Sequence, residues 1–137
     1  MEPLVFLPGM MCDARLFAPQ VTALSREMAQ EAGRLLLEVR RTFGTSPQLD
    51  RAVNRELRDA ADREAHVLIA RRLAQHRPGD TLLSEEGDGD LGRLGADRVW
   101  IVDPLDGTRE YSAAGRRSDW AVHVALCIDG VPAACAV

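Results

Sequence analysis

The chain has 137 residues, of which 46% are hydrophobic and 28% are charged, and its formal net charge is −4. This length fits one domain with a real core, and the composition is that of an ordinary soluble protein. The weak negative charge argues against a surface for nucleic acid polymers. No apolar run is long enough to span a membrane, and the three cysteines form no CxxC pair, so we expect a cytoplasmic protein with reduced thiols.

The N-terminal part predicts a strand and then a helix. Residues 4–7 are apolar and are closed by Pro8-Gly9, which is typical of a short strand and a tight turn. Residues 17–24 could open a helix, and from about Ser25, a candidate N-cap, the pattern is plainly helical. Its apolar face consists of Met28, Ala32, Leu35, Leu36 and Val39. Residues 44–47 break the pattern.

A second helix is predicted from about Asp59 to His76. Its apolar face consists of Ala61, Ala65, Leu68, Ile69 and Leu73. Residues 77–80 predict the end of this helix and a turn. Residues 81–84 predict a short strand that runs directly into Glu85-Glu86. Residues 87–95 are rich in glycine and predict an exposed loop.

The C-terminal part predicts three strands. Residues 99–102 form an apolar run that ends on Asp103-Pro104, and residues 120–128 alternate well enough for another strand. Asp129-Gly130 is a two-residue hairpin signal, which makes residues 131–137 the partner strand.

The most informative pattern is the stretch from Asp103 to Thr108. Asp103 and Asp106 stand three residues apart just past a strand, so both carboxylates can converge on one cation, and the Leu105 carbonyl can join them. Oxygen ligands of this kind suit Mg²⁺, Mn²⁺ or Ca²⁺ rather than zinc. The amides of Gly107 and Thr108, at the start of a following helix, would then hold an anion.

Further acids support a metal-bridged phosphate site, although each has a simpler interpretation. Glu85 follows a strand end, and Asp62 lies near the start of the second helix. Taken alone, the Asp103–Asp106 stretch is often only a turn, and isolated acids are usually solvated surface residues. Their joint occurrence in this order favours a site.

At these residues the sequence resembles the inositol monophosphatase superfamily of magnesium-dependent phosphatases, over residues 26–137. The resemblance is carried by Trp100-Ile-Val-Asp-Pro-Leu-Asp-Gly-Thr108, by Leu83-Ser-Glu-Glu86 and by Ala60-Ala-Asp62. It implies an α+β fold of the layered sugar-phosphatase kind, with two helices packed on a mainly antiparallel sheet. Within the superfamily, residues 108–112 and 119–126 are most similar to CysQ-type 3'(2'),5'-bisphosphate nucleotidases.

The resemblance also implies roles for individual residues. Glu85, Asp103 and Asp106 would bind two or more Mg²⁺ ions through their side chains, and Leu105 through its carbonyl. Asp62 and Thr108 would orient the attacking water, which Glu85 would help to activate. Phosphate oxygens would be held by Gly107 and Thr108, and Arg109 and Glu85 would contact substrate. These assignments predict hydrolysis of a phosphomonoester by activated water.

The implied substrate is a small phosphorylated molecule, 3'-phosphoadenosine 5'-phosphate. An inositol or sugar phosphate is the alternative, because related enzymes overlap in substrate. A second alternative is a catalytically impaired metal-binding fragment. No membrane or nucleic acid polymer is expected as a partner, whereas a homodimer is possible because the last strand could present an unpaired edge.

Two departures from the superfamily qualify these expectations. Its members are about twice as long, and their second half supplies a further metal-binding Asp in a Trp-Asp motif that this chain lacks. Residues 1–25 instead resemble the start of an α/β-hydrolase, yet no Gly-x-Ser-x-Gly elbow follows. We therefore expect an extraneous segment over residues 1–25 and a truncated phosphatase domain over residues 26–137.

Overall fold

The structure is a computed structural model that describes residues 18–43, 51–87, 94–113 and 117–137. The strand predicted at residues 4–7, the break at 44–47 and most of the loop at 87–95 lie outside the described residues. The hydrolase-like segment therefore stays a prediction for residues 1–17.

Two long helices cover one face of a sheet. Helix α1 spans Ala18–Phe43 and helix α2 spans Arg51–His76. The predicted apolar faces are confirmed, because nearly all of their members are buried and only Leu35 and Leu68 are partly so. Within the described residues, no helix is both long and apolar enough to cross a lipid bilayer.

The predicted N-cap at Ser25 is wrong. Helix α1 begins seven residues earlier, at Ala18, and runs through Ser25 without a break. Ser25 is fully buried, and its hydroxyl donates to the Val21 carbonyl one turn back, at 3.1 Å. Val21 and Leu24 pack against the core, so the apolar face simply continues upstream of the serine. A serine inside a helix bonds in this way, whereas a cap would bond forward.

The start predicted for the second helix is also wrong, because α2 begins at Arg51 rather than near Asp59. Leu57 is 1% exposed and extends the apolar face of α2 by one further turn. The first turn of α2 carries no acidic residue. A start signal of the usual kind is therefore missing, and packing of Leu57 outweighs this weak local preference.

The four strands form one sheet in the order β1-β2-β3-β4. Their bounds are Thr81–Ser84 for β1, Arg98–Asp106 for β2, Ala121–Ile128 for β3 and Val131–Ala136 for β4, and a short helix α3, Thr108–Ser112, follows β2. Strands β1 and β2 are parallel, and the other two pairings are antiparallel. The mainly antiparallel sheet and the Asp129-Gly130 hairpin are thus confirmed. Strand β2 is longer than predicted, since it continues through the Asp103–Asp106 stretch.

The core lies between the helices and one face of the sheet. Alternate residues of β2 and β3 point towards the helices and are buried, and the cross-strand partners Trp100 and Leu126 are both 0% exposed. On the opposite face, Ile101 is 43% exposed. Helix α1 packs on β3 and β4, and α2 packs on β1 and β2. Helix α2 therefore lies next to the two parallel strands.

Asp80 fixes the start of β1 against β2. Its carboxylate accepts the indole N–H of Trp100 at 2.8 Å and guanidinium N–H groups of Arg77 and Arg98, each at 3.0 Å. Its side chain is only 7% exposed. Burial alone would raise the pKa of Asp80, but these three hydrogen bonds outweigh it, and the pKa lies below its ordinary value.

Candidate active site

Two of the predicted acids, Glu85 and Asp103, come together where β1 ends beside β2. The two strands are parallel, and Ser84, the last residue of β1, is in register with Val102. The Glu85 N–H donates to the Val102 carbonyl at 3.2 Å, which continues the ladder by one step. Glu85 follows Ser84 and Asp103 follows Val102, so Glu85 and Asp103 lie side by side.

Helix α2 brings Asp62 to the same edge. One turn after Asp62, the His66 imidazole Nδ1 is 2.9 Å from the Ser84 hydroxyl, and Ser84 immediately precedes Glu85. Ser84 is buried, so this contact attaches the helix to the strand end at a fixed position. The site thus draws on two strands and one helix.

The pKa of Asp62 shows that these acids are close together. Burial raises its pKa from the ordinary 3.8 to about 6, and the charges of nearby carboxylates add to the effect. In falling order of effect, these carboxylates belong to Glu86, Asp103, Glu85 and Asp59. Several acids held at one point in this way repel one another, and a bound cation would relieve that repulsion.

The turn after Asp103 is ordered by short-range hydrogen bonds. One carboxylate oxygen of Asp103 accepts the Leu105 N–H at 3.1 Å, and the Thr108 hydroxyl donates to the Leu105 carbonyl at 3.3 Å. Within the described residues no hydrogen bond joins Thr108 to Asp62, the pair expected to orient water. A carbonyl has two lone pairs, so Leu105 retains one for a further ligand.

Asp106 stands apart from the other predicted ligands. Its carboxylate is 3.3 Å from Nε2 of His123, and its side chain is 62% exposed. The register of the pairing between β2 and β3 shifts between Asp103 and Asp106, so the two residues lie on either side of this irregularity. In the described part of the chain, no three His, Cys, Asp or Glu side chains form a ready-made metal cluster. The predicted ligand set of Glu85, Asp103, Leu105 and Asp106 therefore stays a prediction.

Gly107 is required by the backbone at this turn. Its φ is +78°, in the left-handed region that side chains disfavour. A Cβ at this position would lie 2.9 Å from the Asp119 carbonyl oxygen and 3.2 Å from the Trp120 Cα. The turn into α3 therefore packs directly against the start of β3.

Helix α3 is held in place by Tyr111. The phenol is 0% exposed, and its hydroxyl donates to the Leu36 carbonyl of α1 at 2.6 Å. Its ring meets the Trp120 ring edge-on at 5.3 Å, and the Arg40 guanidinium lies 5.6 Å from its centroid. Burial raises the pKa of Tyr111 to about 12. Thr108 and Arg109, on the same short helix, are thereby fixed relative to α1.

The donor atoms at the strand edge suit a hard cation. They are carboxylate oxygens with one backbone carbonyl, the ligand types that Mg²⁺, Mn²⁺ and Ca²⁺ prefer. The raised pKa of Asp62 shows that negative charge is concentrated there. The residues present therefore fit a divalent cation in chemistry, although they are not closed into a coordination shell.

Comparison with known proteins places this arrangement in a family. The family model described as "Inositol monophosphatase family" matches residues 18–137. The chain belongs to the inositol monophosphatase family. The match begins where helix α1 begins, and it includes every acid of the site.

Relatives of the family share this part at high identity. A protein named 3'-phosphoadenosine 5'-phosphate phosphatase from Mycobacterium leprae is 51% identical over 83% of this chain and 40% of its own length. One of the same name from Mycobacterium bovis is 54% identical over 70% of this chain and 33% of its own length. An inositol-1-monophosphatase from Mycobacterium leprae is 47% identical over 56% of this chain and 26% of its own. The chain thus spans at most about 40% of these relatives.

Solved structures of the family have the same fold. CysQ from Bacteroides thetaiotaomicron is 33% identical, with a TM-score of 0.67 over 85% of this chain and 41% of its own. Inositol monophosphatase from Anabaena is 26% identical, with a TM-score of 0.63 over 83% of this chain and 37% of its own. The α+β fold predicted from the resemblance, as its N-terminal portion, is therefore confirmed.

Two features of the site were not foreseen from the sequence. Glu86 acts on Asp62 more strongly than Glu85 does, although only Glu85 was assigned to the site. His123 lies against Asp106, although no role at the site follows from the sequence for this residue. The sequence does not signal the role of Glu86, because two adjacent acids cannot be told apart by pattern. It does not signal the role of His123 either, because this histidine meets an acid 17 residues away only once the strands have paired.

Proposed function

We propose that this chain forms the metal-binding and water-activating part of a phosphatase that acts on 3'-phosphoadenosine 5'-phosphate. The observation that carries the proposal is the meeting of Glu85, Asp103 and Asp62 where β1 ends beside β2. Burial, together with these neighbouring carboxylates, raises the pKa of Asp62 there to about 6. The names of the most similar relatives supply the substrate.

The proposed chemistry assigns each residue one task. A divalent cation, which we take to be Mg²⁺, supplies a Lewis acid that polarises phosphate oxygens and makes water more acidic. Glu85 and Asp103 would hold it from adjacent strands, together with Asp106.

The water-activating side is assigned to Asp62 and Glu85. Asp62 has a pKa near neutrality, which suits a group that accepts a proton from water or shares one with it. Thr108 orients the same water with its hydroxyl, and the amides of Gly107 and Thr108 receive phosphate oxygens. Arg109, exposed on α3, contacts the substrate.

Phosphate release tests the proposal directly. The 137-residue chain is incubated with 3'-phosphoadenosine 5'-phosphate and Mg²⁺, in parallel with Asp103→Asn and with the matched control Asp97→Asn, an exposed acid just before β2. We expect Asp103→Asn to lower release at least about a hundredfold, because loss of a residue that only supports a metal ligand already costs about 10- to 100-fold. We expect Asp97→Asn to leave release unchanged.

Three outcomes distinguish the proposed function from its alternatives. Absent release, or release that Asp103→Asn does not alter, would contradict the proposal. Faster release from inositol 1-phosphate than from the nucleotide would assign the chain to the inositol phosphatases. Binding of Mg²⁺ in calorimetry without turnover from either substrate would identify a metal-binding fragment.

A further inference from the structure

A second, oppositely charged feature lies beside the carboxylates. It is a cavity of about 310 Å³ between the first turns of α2 and helix α3. Its lining consists of Arg51, Asn54, Arg55, Arg58, Arg109 and Ser112. Four of these six residues are arginines and none is acidic, so the cavity is strongly positive.

The cavity is aligned with the carboxylate cluster along one face of α2. Arg51, Arg55, Arg58 and Asp62 are spaced by four, three and four residues, so they lie on one stripe of the helix. At about 1.5 Å of rise per residue, Arg58 is about 6 Å and Arg55 about 10 Å from Asp62 along the axis. Arg109 directly follows Thr108 on α3, which brings the second wall of the cavity to the site as well.

The four guanidiniums are available to a ligand. Among the described residues, none of them forms an ion pair, whereas Arg72, Arg77, Arg98 and Arg117 each pair with a carboxylate. Arg58 donates through Nε to the Asn54 carbonyl at 3.2 Å, which holds its guanidinium close to the helix. Arg51, Arg55 and Arg109 are exposed.

The position of the arginines is unfavourable unless an anion is present. The amino-terminal end of a helix carries partial positive charge, and acids are preferred there. Helix α2 has no acid in its first turn and instead begins with Arg51, followed by Arg55 one turn later. An anion in the cavity would be attracted both by the guanidiniums and by this end of the helix.

We propose that this cavity binds the second, non-reacting phosphate of a bisphosphorylated nucleoside while its other phosphate lies at the carboxylate edge. The inference rests on the proposed function, and it adds the feature that selects bisphosphorylated over monophosphorylated substrates. Phosphate is the natural occupant because guanidinium groups bind its oxygens in a fork geometry.

Binding of adenosine 5'-monophosphate isolates this cavity from catalysis. The nucleotide carries only the second phosphate, so titration calorimetry can be done on the 137-residue chain in EDTA, with adenosine and with inorganic phosphate as comparisons. We expect Arg55→Gln to weaken binding roughly tenfold or more, as loss of a charged hydrogen bond does. Arg63→Gln, an exposed arginine of α2 outside the cavity, should change affinity less than twofold. Thermal unfolding of each variant checks that it is folded.

A second arm tests selectivity, again in EDTA so that no nucleotide is hydrolysed. We expect adenosine 3',5'-bisphosphate to bind at least tenfold more tightly than adenosine 3'-monophosphate, and Arg55→Gln/Arg58→Gln to abolish this difference by weakening only the bisphosphate. Tighter binding of inorganic phosphate than of adenosine 5'-monophosphate would assign the cavity to free phosphate and overturn the proposal.

The two proposals fail in different ways. Equal weakening by Arg55→Gln and Arg63→Gln, or equal binding of adenosine and adenosine 5'-monophosphate, would overturn the cavity proposal while leaving Mg²⁺-dependent phosphate release intact. Absent phosphate release, together with Arg55-dependent binding of adenosine 5'-monophosphate, would instead overturn the proposed function and support the cavity as a nucleotide-phosphate site.

Discussion

Replacing Asp62 by asparagine should stabilise the metal-free protein at neutral pH. Asparagine keeps the shape of the side chain but removes the charge that burial and the neighbouring acids disfavour. The pKa of Asp62 is raised from 3.8 to about 6, and about two units correspond to about 3 kcal/mol between the protonation states. Because Asp62 is only half-buried, solvent screens part of this difference, and we expect Asp62→Asn to raise the free energy of unfolding by about 1 to 2 kcal/mol above pH 7.

The size of this effect depends on pH. Below pH 3.8 the carboxyl is protonated in both the folded and the unfolded chain, and its charge has no cost. Between 3.8 and about 6 the folded state retains a proton that the unfolded state has lost, so stability falls as pH rises. The advantage of Asp62→Asn should thus be about 0.5 kcal/mol at about pH 4.5 and about 1 to 2 kcal/mol at about pH 7.5.

Urea unfolding followed by circular dichroism measures the effect, with EDTA present and at both pH values. Glu56→Gln, an exposed acid of the same helix, removes the same charge without the burial and should differ from wild type by less than about 0.5 kcal/mol. Mg²⁺ should stabilise wild type more than Asp62→Asn, because a cation that binds the folded state shifts the equilibrium by mass action. The reasoning is refuted if Asp62→Asn destabilises the chain at pH 7.5, or matches Glu56→Gln there.

Three further predictions concern the frame of the site, each measured by urea unfolding at neutral pH. Gly107→Ala should lower the free energy of unfolding by about 2 to 4 kcal/mol, because the residue has a positive φ and its new Cβ would overlap rigid backbone. Gly130 also has a positive φ, +77°, but open space around it, so Gly130→Ala should lower the free energy of unfolding by only about 1 to 2 kcal/mol. Equal losses would contradict the close backbone approach at Gly107. Asp80→Asn should lower the free energy of unfolding by about 2 kcal/mol, because two arginines and an indole lose their shared carboxylate. Wild type should lose this stability as pH falls through the lowered pKa of Asp80. A difference between the two proteins that does not depend on pH would contradict this explanation. Tyr111→Phe should cost about 1 to 2 kcal/mol for the lost bond to the Leu36 carbonyl, and no loss would show that this carbonyl is satisfied without the phenol.

Element types could be predicted from the sequence because periodicity dominates them, but helix starts could not. The four-residue spacing from Ala61 to Leu73 is visible in the chain, and each strand has its own turn signal. Ser25 has the residue type of a cap, yet it lies inside a helix because Val21 and Leu24 extend the apolar face. Likewise, α2 starts early because Leu57 is buried. Tertiary packing decided both starts.

The composition of the site was predictable, whereas its geometry was not. Glu85 was placed correctly just after a strand end, whereas Asp103 lies inside β2 rather than at its end. The parallel pairing that makes the two residues neighbours follows only from the folded sheet. The contact between Asp106 and His123 depends on strand register, which a sequence pattern does not determine. The arginine cavity had no motif at all, since its members share a face only once α2 is known to begin at Arg51.

Helix α2 combines these features at the expense of its own stability. Its first turns carry arginines where acids are preferred, and its middle carries Asp62, whose charge is disfavoured in the folded state. The opposite face compensates, because Leu57, Ala65 and Ile69 are buried against the core. One face of α2 is therefore electrostatically unfavourable, while the other stabilises the fold by packing. This arrangement is typical of sites that are completed by ligands. A cation at the carboxylates and a phosphate at the arginines would each relieve one part, and a bisphosphorylated nucleoside bound with Mg²⁺ would relieve both at once.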